Sequence, residues 1–184
     1  NEEIPNSHIL DQWTNCCNPD AHYHDTAQEI LNDFGTDLHM VVMGVGTGGT
    51  ATGVGKRLKE EISDIKIIGA DPYGSILGGE DEYKGQPYKV EGIGYDFIPK
   101  TCEHEYIDDF VKVNDKEAFS TARALIREEG LLIGGSCGSA MFAALKAAKS
   151  LKKGQNCLVI LPDSIRNYMR KFLSDDWMKE NDLI

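Results

Sequence analysis

No stretch of the chain approaches the roughly 18 consecutive apolar residues that a membrane-spanning helix requires. Basic charge is scarce: 19 Lys and Arg stand against 30 Asp and Glu, a net charge of −11. That balance excludes a nucleic-acid or anionic-membrane surface, since both call for clustered cations. Cysteine is sparse, odd in number and without C-x-x-C spacing. Cys16 and Cys17 adjoin, while Cys102, Cys137 and Cys157 are scattered. Neither a disulfide framework nor a zinc site is implied, and a reducing, cytoplasmic setting is the expectation. The opening NEEIPNSHIL lacks the basic start and apolar core of a signal peptide. Internal repeats and low-complexity tracts are also missing. What is present suits a water-soluble globular domain: 184 residues, 41% hydrophobic and 27% charged, enough to bury a sizeable core.

From about residue 25 short apolar runs alternate with helical patterns. Thr26 and Glu29 fit a capping box for the helix AQEILNDF. HMVVM (39–43) reads as a buried strand running into a glycine loop, followed by the helix TATGVGKRLKEE and the strand KIIGA (66–70). Residues 71–100 are rich in Gly and Pro with little periodicity, a length of connection that is usually functional. DFVKV is a further strand, and Asn114 with Glu117 caps the helix DKEAFSTARALIREE, ended by Gly130. GGSCGSA opens the helix AMFAALKAAKSLKK, NCLVIL (156–161) is a third buried strand, and PDSIRNYMRKFLSDDWM forms terminal helices starting near Ser174. Strands alternating with helices imply an α/β fold, a mostly parallel twisted sheet with helices on both faces. Residues 1–22 fit this rhythm poorly and read as an extended piece of a separate unit, with the α/β domain over 23–184.

Within MGVGTGGTATG (43–53), Gly44, Gly46 and Gly49 spell G-x-G-x-x-G, the dinucleotide-binding fingerprint. Asp71 follows the next strand, 22 residues beyond Gly49, where a ribose-binding carboxylate would fall. The same stretch contains G-T-G-G-T, Gly46 to Thr50, whose threonine hydroxyls suit a single tetrahedral anion. Four glycines in six residues at a strand–helix junction mark an anion site on either reading. In GGSCGSA, Ser136 or Ser139 could serve as a helix N-cap. The clustered glycines point instead to close approach by a ligand ring. A serine hydroxyl facing a pyridine nitrogen bonds it without protonating it, which keeps a pyridoxal ring a moderate electron sink.

VGTGGTATGVGKRLKE, GADPYGSIL, VEGIGYDFIP, EEGLLIGGSCGSA and VILPDSIRNYMRKFLSDDWM together resemble the cystathionine β-synthase family, within the pyridoxal-phosphate fold type II enzymes. The resemblance spans essentially the whole chain. It implies the large cofactor-binding domain of that fold, in incomplete form, with a remnant of the smaller domain at 1–22. It also implies that Gly46, Thr47, Gly48, Gly49 and Thr50 hold the cofactor phosphate and that Ser136 meets the pyridine nitrogen. Gly92, Ile93, Gly94 and Tyr95 match the mobile segment that closes over substrate, with Tyr95 the active-site tyrosine. The implied reaction is β-replacement: L-serine loses water and the thiolate of L-homocysteine adds, giving cystathionine. A homodimer is the implied assembly.

One element of that family is missing. The cofactor lysine of the family lies in an S-x-K-x-R motif, and the nearest string here, KSLKKG (149–154), reads as solvated surface at Lys152. Lys56 and Lys59 read as exposed helix positions, and none of the 14 lysines is a credible cofactor anchor. The chain is therefore expected to be a fragment that is inactive without an N-terminal half. Two other readings compete: an O-acetylserine sulfhydrylase-like cysteine synthase, and a non-catalytic binding module derived from the family. A nucleotide-dependent dehydrogenase would rest on G-x-G-x-x-G and Asp71 alone. Asp96 assists proton transfer or caps the turn before Pro99; Asp163 and Ser164 stand at the sheet edge that builds ligand sites, with capping favoured for Ser164. No metal site is expected: His22 and His24 share one side of an extended segment without a matching Cys or carboxylate. Cys16 and Cys17 read as buried thiols.

Overall fold

A computed structural model describes residues 4–184. The first three residues of the 1–22 segment lie outside the described residues. Four parallel strands form one sheet in the order β3-β2-β1-β4. They are β1 (Met40–Gly44), β2 (Lys66–Pro72), β3 (Asp109–Val113) and β4 (Cys157–Val159). Register places Met40 beside both Lys66 and Cys157, and Ile68 beside Asp109. The period of two in a strand sends alternate residues to opposite faces. Val41, Met43 and Ile67 therefore enter one core, and Met40, Val42, Ile68 and Ala70 the other.

Each core is closed by helices. On the first face pack α1 (Cys17–Ala21), α2 (Ala27–Phe34) and α3 (Gly49–Glu61), contributing Ala27, Ile30, Val54 and Leu58. On the second pack α4 (Asp115–Ala124), α5 (Gly135–Ala147) and α6 (Asp175–Glu180), with Phe119, Ala143, Phe172 and Met178 at its centre. Phe119 stacks on Phe172 at 5.3 Å between ring centres and meets Trp177 edge-on at 5.5 Å. Burying a side chain of this size contributes about 1.5–3 kcal/mol, so both layers are needed to hold so short a sheet.

The Asn114 capping box forms as the spacing predicts. Asn114 Oδ1 accepts from the Glu117 N–H at 2.9 Å, and Glu117 Oε2 accepts from the Asn114 N–H at 2.9 Å. Gly130 ends that helical run in the left-handed conformation, φ +71°. Ser174 caps α6 through the Trp177 N–H.

Several local expectations are corrected. The Thr26 capping box does not form, because the helix is already running: α1 passes through a π turn (His22–Thr26) directly into α2. Thr26 Oγ1 instead meets His22 Nδ1 at 2.9 Å. Residues 17–22 are thus helical, not extended, and His22 and His24 lie in the π turn. Cys16 and Cys17 are exposed, since α1 turns them to solvent and buries Pro19. Strand β4 is shorter than NCLVIL, and the terminal segment is a 3₁₀ turn (Ile165–Tyr168) plus α6 rather than long helices. Ser164 begins that turn without a side-chain capping bond and pairs with Ile133 in an antiparallel bridge. Lys59 is only partly exposed and pairs with Asp108 at 2.8 Å.

Candidate cofactor site

At the carboxyl end of β1 the chain turns through Val45–Gly48 into α3. Gly48 caps the helix at φ +81°, a left-handed conformation that side chains rarely adopt. A Cβ there would also stand 2.3 Å from Cys102 Cβ. The first full helical bond runs from the Thr52 N–H to Gly48 O at 2.8 Å, so the preceding amides of the first turn have no i−4 acceptor. Those amides and the positive end of a 13-residue helix favour an anion. The loop is fastened from behind: Asn18 Nδ2 donates to Thr47 Oγ1 at 3.0 Å and Thr101 Oγ1 donates to Thr47 O at 2.7 Å. Thr50 Oγ1 meets His22 Nε2 at 3.1 Å, and burial holds the His22 imidazole below its ordinary value.

In front of the loop lies a cavity of about 380 Å³, within the range of small-molecule sites. Gly46, Thr47, Gly48 and Thr50 form its floor, and Gly92, Ile93 and Tyr95 one wall. Ser136 faces them from the first turn of α5, beside Asp163 and Tyr168. The N-cap of α5 is Gly134, so Ser136 is not the cap. It is only 4% exposed, and its hydroxyl has no hydrogen-bond partner among the described residues. Tyr168 donates its hydroxyl to Asp163 Oδ2 at 2.6 Å; burial, then that bond, raises the phenol well above its ordinary value. Burial also pushes the Cys102 thiol up to about 11, which removes it as a nucleophile at neutral pH.

Eight expected site residues converge on this cavity: Gly46, Thr47, Gly48, Thr50, Gly92, Ile93, Tyr95 and Ser136. Three do not line it. Gly49 packs against Asn18, where a Cβ would come within 1.9 Å of the side-chain oxygen. Gly94 donates its N–H to Val45 O at 2.8 Å and holds the wall from outside. Asp96 is exposed, beyond the cavity. Gln12, Glu91 and Tyr168 line the cavity without having been singled out in the sequence. Gln12 carries no motif; Glu91 and Tyr168 lie within VEGIGYDFIP and VILPDSIRNYMRKFLSDDWM without having been picked out of them, and Tyr168 is brought in by the 3₁₀ turn after β4.

Asp71, the candidate ribose ligand, is fully buried. Its Oδ2 accepts from Lys112 Nζ and from the Gly78 N–H, each at 2.8 Å, and it is not part of the cavity wall. The dinucleotide reading loses its acid for that reason. A single phosphate at the floor and a ring extending toward the free Ser136 hydroxyl match the residues present. Gly46 supports that geometry, because any Cβ there would fill the cradle 2.5 Å from Gly92 O. Among the described residues no lysine lines the cavity.

The parallel α/β sheet, with a glycine loop and a serine facing each other across one cavity, belongs to a class that sequence comparison identifies. The family described as "Pyridoxal-phosphate dependent enzyme" matches residues 1–163, and the chain belongs to it. Pyridoxal phosphate is accordingly the family's cofactor. Among its members, the chain is 57% identical to cystathionine beta-synthase of Mus musculus over 179 residues, covering 96% of this chain and 32% of that protein. It is 53% identical to cystathionine beta-synthase of Dictyostelium discoideum over 186 residues, 100% of this chain and 37% of the relative. The crystal structure of O-acetylserine dependent cystathionine beta-synthase from Helicobacter pylori superposes with a TM-score of 0.86 at 44% identity, covering 92% of this chain and 55% of that one. The chain thus spans about a third of the length of these two curated relatives.

Proposed function

We propose that the chain supplies the cofactor-binding part of a pyridoxal-phosphate lyase that condenses L-serine with L-homocysteine to cystathionine, a transsulfuration step toward cysteine. The observation that carries this reading is one cavity uniting the Gly46–Thr50 floor, the unpartnered Ser136 hydroxyl and the Tyr95 wall. The similarity to cystathionine beta-synthases supports the choice of reaction.

The residues divide the work. Gly46, Thr47, Gly48 and Thr50 hold the phosphate from the cavity floor, by backbone N–H groups and hydroxyls, with Gly49 behind them packed against Asn18, and so fix the ring's distance from the sheet. Ser136 donates its hydroxyl to the pyridine nitrogen, which stays unprotonated. The cofactor, when bound, supplies an electron sink for the substrate's α-carbon, and this weaker setting favours elimination and replacement over transamination. Gly92, Ile93, Gly94 and Tyr95 close over the substrate and exclude water. Asp96, exposed in this structure, joins them in closing and takes part in proton transfer.

The lysine that carries the cofactor's aldehyde comes from sequence outside these 184 residues. Without it the isolated chain is inactive. Residues 1–22 belong to a smaller N-terminal domain and 23–184 to the large one. Exposed Ile9 and Leu10, 64% and 86% accessible, support a covering N-terminal half. The complete enzyme works as a homodimer in the cytoplasm. Among the described residues no helix is long and apolar enough to cross a membrane.

The test is the visible spectrum after adding pyridoxal phosphate, with and without the N-terminal half, followed by assay with L-serine and L-homocysteine. A lysine-linked cofactor band only when both halves are present, with cystathionine as product, is the expected result. A band from this chain alone would overturn the divided site. Cysteine from O-acetylserine and sulfide, without cystathionine, would move the reading to a cysteine synthase.

A further inference from the structure

Asp71 and Lys112 are direct neighbours in the parallel register of β2 and β3, and their ion pair is closed inside the protein. Asp71 is 0% exposed, and its second oxygen, Oδ1, has no hydrogen-bond partner. A buried pair with an unsatisfied oxygen is poor value for stability, because desolvation offsets the attraction. Its geometry shows what else it does. The same Lys112 ammonium donates to Ser75 O at 2.6 Å and lies 3.5 Å from Asp81 Oδ2.

Ser75 is also 0% exposed, and its side chain grips Tyr95 from both sides. Ser75 Oγ accepts from the Tyr95 N–H at 3.0 Å and donates to Tyr95 O at 3.2 Å. The neighbouring Ile76 N–H donates to the same Tyr95 oxygen at 2.9 Å. A chain of contacts therefore runs from the sheet, through Asp71 and Lys112, to the backbone of the cavity-wall tyrosine. The next anchor along the wall is independent of it: the Gly94 N–H is held by Val45 O at 2.8 Å.

We propose that Lys112 and Ser75 are positioning residues that set the place of Tyr95 in the substrate half of the cavity, with no part in holding the cofactor phosphate. The proposal rests on the reading above that the Tyr95 segment closes over substrate. Lys112 fixes the Ser75 carbonyl against the charged end of the sheet, and Ser75 transmits that position by hydrogen bonds to Tyr95. Removing either lets the Tyr95 backbone shift while the floor at Gly46–Thr50, fastened by Asn18 and Thr101, stays in place.

The experiment compares wild type with Ser75→Ala in the complete, cofactor-loaded protein by amide hydrogen exchange and steady-state kinetics. The expected result is exchange about tenfold faster at Tyr95 and Ile76, with Gly94 and Thr52 unchanged. The KM for the incoming thiol should rise by about tenfold while the cofactor spectrum and affinity stay as in wild type. Lys112→Met leaves Asp71 unpaired and risks misfolding, so the paired variant Asp71→Asn with Lys112→Met is the second probe and should show the same pattern. Unchanged exchange at Tyr95, a rise in exchange without a rise in KM, or loss of cofactor together with substrate affinity would each overturn the proposal. If wild type makes no cystathionine, the functional reading fails instead, and the exchange arm still judges the Tyr95 anchor.

Discussion

Helices α3 and α5 are both 13 residues long, both open on glycine-rich loops, and both begin at the same cavity. In sequence their starts look alike, yet the glycines serve different ends. At α3 the cap glycine is left-handed and the loop presents backbone to the cavity. At α5 the cap Gly134 is extended, and Gly134, Gly135 and Gly138 are buried against Asp163, Phe119 and the backbone of Ala118. Only Ser136 of that turn reaches the cavity. One loop turns its main chain to the cavity; the other packs with its main chain and offers the cavity one side chain.

The widest separation between the two is expected at their glycines. Gly138→Ala drives a Cβ to 2.0 Å from Ala118 O and 2.8 Å from Ala122 N, backbone atoms that cannot yield. It should cost about 3 kcal/mol or prevent folding, read by urea unfolding. Gly46→Ala meets Gly92 O at 2.5 Å, on an exposed residue with open space beside its own Cα, so that one peptide can shift. The fold should lose only about 1 kcal/mol, while cofactor affinity in the complete protein falls about a hundredfold through lost phosphate contacts. Similar effects on stability at the two sites would erase the distinction.

Ser136→Ala sharpens the α5 side. Stability should stay within about 0.5 kcal/mol of wild type, with cofactor affinity down about tenfold and a shifted absorption band. A loss near 1 kcal/mol in stability with an unchanged band would instead return Ser136 to a helix-starting role.

The smallest effect concerns acid. The Asp108 carboxyl is opposed by burial, but the Ile67 N–H and the Lys59 and Lys66 ammonium groups outweigh that and hold it below its ordinary value. A depressed folded value stabilises at neutral pH and is lost as pH falls through it, below about pH 4. Lys59 lies on α3, so α3 amides should lose protection in that window before those of α5, as hydrogen exchange would register.

The sheet was readable because β1, β2 and β3 are short apolar runs between turns, and DFVKV matches Asp109–Val113 to the residue. The path from Cys17 to Phe34 was not, because the π turn at His22–Thr26 breaks the 3.6-residue period and leaves Thr26 resembling a cap. The glycine loop and Ser136 were legible through local chemistry. Gln12 and Tyr168 were not, since each reaches the cavity through packing between distant segments, while Glu91 stood beside Gly92 in VEGIGYDFIP with no chemistry to single it out. Asp71 shows why spacing alone is weak: its position along the chain suits a ribose carboxylate, but the register of β3 supplies Lys112 beside it.

The fastening of the glycine loop before α3 also bears on the order of events in folding. MGVGTGGTATG is contiguous, yet its shape depends on Asn18, 29 positions before Thr47, and on Thr101, 54 positions after it. Contacts of such separation carry a loop-closure cost and form late relative to local helix and turn structure. The stretch most recognisable on paper therefore reaches its final geometry only once segments far from it in the chain have docked behind it.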